Sequence, residues 1–158
     1  MFLKGYRMKR LVGIGIGLCL TFTALTQTLD IKDGLYYYGN EAYTGPYSTY
    51  YESGMIKMRC YFTDGMPDKS IVQYFENGSV SQVGFYKNGL QDGMWSLFNQ
   101  GGDKVGEAHY VKGEKDGVWF LTDGFDNRHY HLIYNMGEKV GNWQLWDDQA
   151  SLVAEREF

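Results

Sequence analysis

The sequence predicts an all-β protein: a stack of β-hairpins behind an N-terminal signal segment. Three observations predict it. Aromatic residues recur every 24 positions, glycines recur in phase with them, and no stretch combines a sustained 3.6-residue apolar period with helix caps. Composition agrees. The 158 residues include 21 glycines but only 2 prolines, and 17% are Phe, Trp or Tyr. Glycine well above the usual level of about 7%, without proline, excludes collagen-like and Pro-rich chains. The aromatic mass excludes a disordered chain. A formal net charge of −4 argues against nucleic-acid binding, which needs a basic face to displace counterions.

Residues 1–26 read as a secretory signal peptide. Lys4, Arg7, Lys9 and Arg10 form a basic leader without any acid, and residues 11–25 carry no charge. Ala24 and Thr26 offer small side chains at −3 and −1 for cleavage before Gln27. A retained inner-membrane anchor is the alternative, but the apolar stretch is short of the roughly 20 residues that span a bilayer. Export to the periplasm, outer envelope or exterior is therefore expected, with membrane contact only through an uncleaved segment. Removing residues 1–26 takes away four basic residues and no acid, so the charge moves from −4 to −8. Only Cys60 then remains, and no intramolecular disulfide can form.

The remainder divides into a leading half-repeat at 27–44, full units at 45–68, 69–92, 93–116 and 117–140, and a closing half-unit at 141–158. Tyr38, Phe62, Tyr86, Tyr110, Tyr134 and Phe158 occupy one column. Gly65, Gly89, Gly113 and Gly137 occupy a second. Gly45, Gly93, Gly117 and Gly141 occupy a third, which Lys69 interrupts. Tyr47, Ile71, Trp95, Trp119 and Trp143 follow two positions later. Asp64-Gly65, Asn88-Gly89, Ser53-Gly54, Asn77-Gly78 and Gly101-Gly102 supply hairpin turns, and the short runs between them are rich in strand-forming types. Strand alternation places Cys60, Gly84, Ala108 and Leu132 on the face of the aromatic column, making a core of large rings beside small residues. The opposite face carries Lys57, Arg59, Ser81, Glu107, His129, His131, Glu155 and Glu157, and is expected to be polar and solvated. One hairpin cannot bury its rings alone, so neighbouring units must stack.

The segments Ala42–Tyr47, Tyr50–Gly54, Gln91–Trp95 and Lys115–Trp119 carry a Gly-x-Trp-x-x-aromatic pattern followed by Gly and Tyr-x-x-Gly. This pattern resembles the MORN repeat, and most closely the bacterial MORN-variant repeats, over residues 35–158. Lys69, Ile71, Thr122 and Asp126 depart from it. The resemblance implies an elongated, single-layer stack of β-hairpins serving as a scaffold, protein-binding module or lipid-associated platform. It also implies an antitoxin-like role, since members of that family often bear the toxin–antitoxin label.

Little in the chain points to chemistry. His129 and His131 lie two apart on one strand, in a polar column with Glu107 and Glu155, and these four are the candidate binding residues. Two imidazoles and a carboxylate could hold a transition metal, but a solvated column with mild charge pairing is the favoured reading. His109 shares its column with Phe85 and Ile133, which suggests packing. The aspartates beside glycines lack calcium-loop spacing and suit turns. No nucleophile elbow, phosphate loop or Cys-His signature is present. The expectation is a non-enzymatic protein with no catalytic residues, metal or cofactor, whose partner is another protein. The alternative is a carbohydrate- or envelope-binding module, which would require Trp95, Trp119 and Trp143 to lie exposed in a row.

Overall fold

The computed structural model describes residues 28–123 and 128–158. The signal segment expected at 1–26 and the departure at Asp126 lie outside the described residues. Strands β1 (Asp30–Lys32), β2 (Leu35–Tyr38) and β3 (Glu41–Ala42) make a small antiparallel sheet. The rest is one open antiparallel sheet, as expected for stacked hairpins. Its first strands are β4 (Gly45–Tyr50), β5 (Ile56–Thr63), β6 (Met66–Tyr74), β7 (Val80–Lys87), β8 (Leu90–Gln91) and β9 (Gly93–Phe98). They continue as β10 (Lys104–Val111), β11 (Glu114–Lys115), β12 (Gly117–Thr122), β13 (His129–Asn135), β14 (Glu138–Lys139), β15 (Asn142–Trp146) and β16 (Leu152–Glu157). Long strands lie side by side in sequence order, without crossovers, while the two-residue β8, β11 and β14 extend their hairpins.

Local turn chemistry sets the period. At Asn88 and Gly89 φ is 51° and 80°, the pair of positive values that a tight hairpin turn needs. Lys112 and Met136 adopt the same conformation before Gly113 and Gly137, so the glycine column marks turns the residue before it did not announce. Each of these glycine amides also donates backward to the preceding unit. Gly65 N–H reaches the Tyr43 carbonyl at 2.9 Å, Gly89 that of Pro67 at 2.9 Å, Gly113 that of Gln91 at 2.8 Å and Gly137 that of Lys115 at 2.7 Å. Aspartates beside the glycines reinforce this stacking. Asp116 Oδ1 accepts from Met136 N–H at 3.1 Å, and Asp92 Oδ2 from Lys112 N–H at 3.3 Å. Lys69 keeps its unit in register by adopting φ 65°, close to the values of Gly93 and Gly117 in the same column, and its ammonium lies 3.8 Å from the Tyr61 ring centre.

The core is a seam of rings on one face. Phe62, Ile71, Trp95, Ala108, Trp119 and Tyr134 are buried. Ring centres run Tyr86–Trp95–Tyr110–Trp119–Tyr134–Trp143–Phe158 at spacings between 4.7 and 6.1 Å, mostly tilted or edge-on, the arrangement aromatic pairs favour. Ile71 interrupts the ladder between Phe62 and Tyr86. Gly84 is small for a reason, because a Cβ there would lie 2.2 Å from Trp95 Cδ2. Trp119 Nε1–H donates to the His109 carbonyl at 3.0 Å and Trp143 Nε1–H to that of Ile133 at 2.9 Å, whereas Trp95 Nε1–H has no acceptor among the described residues. Lys115 and Lys139, one unit apart, lie over the rings of Trp119 and Trp143 at 4.8 and 4.5 Å.

The leading segment departs from the expected phase. Tyr38 is exposed, and Tyr36 instead packs on Phe62 with a centroid distance of 4.5 Å. Its amide donates to the Gly65 carbonyl at 2.9 Å, tying the small sheet to the first turn.

Candidate interaction surface

Alternation along each strand sends the side chains between the core positions to the opposite face. There the strand register builds rows. Ser70 pairs with Phe85, Met94 with His109, and Val118 with Ile133. In the adjacent row Val83 pairs with Ser96, Glu107 with Phe120, and Phe120 with His131. The face expected to be polar therefore has an apolar centre. Phe85, Met94, Val118, Phe120 and Val83 are all exposed, Met94 by 52%. The second-strand residues expected there are polar, but Val83 and Phe85 on β7 and Met94, Val118 and Phe120 on first strands set exposed apolar side chains among them.

The four candidate residues share this face, but the register does not bring them into one site. Phe120 separates Glu107 from His131, and Gln144 separates His131 from Glu155. Each step therefore spans two strand spacings, about 10 Å. His129 stacks on the Phe120 ring at 5.7 Å, and its Nδ1 lies 3.2 Å from Thr122 Oγ1. Gln144 Nε2–H donates to Glu155 Oε1 at 3.0 Å. Glu107 is bound by Lys104 and lies 3.7 Å from His109 Nε2. The Lys104 hydrogen bond, with help from the Lys104 and His109 charges, holds its carboxyl below the usual carboxylate range. Among the described residues no three His, Cys, Asp or Glu are grouped to hold a metal. His109, expected to serve packing, turns its ring to this outer face and contributes to the core through its carbonyl, which takes both Asp116 N–H and Trp119 Nε1–H.

The remaining charges are segregated. Lys57 and Arg59 stand on β5 near one end of the main sheet, and Glu155 and Glu157 on β16 at the other. A depression of about 320 Å³ beside the first hairpin is lined by Met55, Ile56, Tyr74 and a single charged group, Arg59. On the core face Trp95 and Trp119 are buried, so they present no exposed row of indoles. The thiol of Cys60 is half-buried, which pushes it up to about 11. The arrangement offers an apolar strip with charged ends. Compared with known proteins, the chain matches no family model and no curated protein.

Proposed function

We propose that this is an exported, non-enzymatic interaction module that binds another protein through the outer face of its hairpin stack. The observation that carries this reading is the exposed row through Phe85, Met94 and Val118, flanked by Phe120 and Val83. Exposed apolar side chains grouped on one face, here interleaved with Ser96, His109 and the Lys104–Glu107 pair, mark a protein-binding surface. The likeness of the repeat to MORN-variant repeats supports the same reading, and an antitoxin role is the case in which the partner is an exported toxin. Export rests on the basic leader and uncharged stretch of residues 1–26. Burial of Trp95 and Trp119 takes those rings away from the carbohydrate alternative. Affinity capture from envelope extract tests the reading, with the native chain and Val118→Asp side by side. A protein retained by the first and lost by the second is expected. Retention of polysaccharide alone would sink it.

A further inference from the structure

We infer that the partner of this face is a second copy of the chain, packed face to face with its strand order reversed. The inference rests on the interaction reading above and names its partner. The carrying observation is that the outer face is complementary to itself. A two-fold axis parallel to the strands, between β9 and β10, keeps every row level and reverses strand order. Phe85 then meets Val118 of the second copy, and Val83 meets Phe120. Met94 meets His109 at the axis. At the ends the same operation sets Arg59 opposite Gln144 of the second copy, one strand from its Glu155, so the basic end of each chain lies over the acidic end of the other. The opposite orientation, with the axis along the stack, would set Arg59 on Arg59 and Glu155 on Glu155.

Size is also sufficient. Ten long strands spaced about 4.8 Å apart, each roughly 20 Å long, present about 850 Å². A stable interface needs about 800 Å² per partner.

Sedimentation equilibrium on the full chain purified after export tests the inference. A dimer is expected, and Met94→Asp converts it to monomer; at a concentration where the native chain is itself dissociated the two unfold at the same midpoint, because Met94 is outside the core. Arg59→Glu and Glu155→Arg each weaken association about tenfold, and the two together restore it. A native chain that stays monomeric throughout the concentration range overturns the inference. So does a dimer indifferent to Met94→Asp, or a charge swap without rescue. The capture experiment separates the two levels: a monomer that still retains an envelope protein through Val118 leaves the interaction reading standing without the second copy.

Discussion

Replacing Trp95 with alanine should remove the keystone of the seam. The side chain is 2% exposed and wedged between Tyr86 at 5.2 Å and Tyr110 at 6.1 Å, with its ring lying on Gly84. An aromatic side chain buries roughly 150–250 Å², worth about 4–6 kcal/mol at about 25 cal/mol/Å². Alanine keeps part of that, but Gly84 has no side chain to refill the space. A loss of about 4 kcal/mol is therefore expected, within the range of about 3–5 kcal/mol for such truncations. Urea unfolding should show it as a midpoint lowered by about 2 M, for a slope of about 2 kcal/mol/M. Met94→Ala, the neighbouring residue on the other face, should cost less than about 0.5 kcal/mol. Equal losses at the two positions would refute the assignment of faces.

Trp119→Phe should destabilise by about 1 kcal/mol more than Trp95→Phe, because only Trp119 loses an indole hydrogen bond. Paired thermal melts of the two variants would show the difference. Met136→Asn should stabilise by about 0.5–1 kcal/mol, since Met136 holds φ 46° while half-exposed and asparagine tolerates that region better. Alkaline pH should destabilise the fold. Burial raises Cys60 from 9.0 to about 11 and also raises Tyr47, Tyr86 and Tyr110. Folded values above unfolded ones mean that this stability is complete below about pH 9 and lost as pH climbs through about 11. A melting temperature that rises over that interval would contradict it.

The period and core were legible in the sequence because both rest on residues with few alternatives. Positive φ selects glycine, as at Gly89 and Gly113, and a seam between hairpins selects rings. The leading phase was less legible. Tyr36, Tyr37 and Tyr38 are consecutive rings, so composition cannot say which of them faces Phe62; alternation excludes only Tyr37, and the Tyr36 amide bond to the Gly65 carbonyl brings Tyr36 rather than Tyr38 onto that ring. The outer face was misread for a different reason. A column read down one strand type skips the strand between, which carries Met94, Val118 and Phe120, and Val83 and Phe85 on β7 were passed over within the columns themselves. The same interleaving separates Glu107, His131 and Glu155, which looked adjacent in the repeat alignment. Trp95 shows a further limit. Its unit matches that of Trp119, but glycine at 84 rather than alanine lets its ring settle on the backbone, and its N–H loses the acceptor that Trp119 has.

Amide exchange at Gly65, Gly89, Gly113 and Gly137 tests most directly that the chain is one stack of 24-residue units. Each amide donates to a carbonyl 22 residues earlier, so each reports a junction between units. Slow exchange at all four, although they sit in turns, is the predicted result. Exchange at the rate of an open turn would contradict the stack.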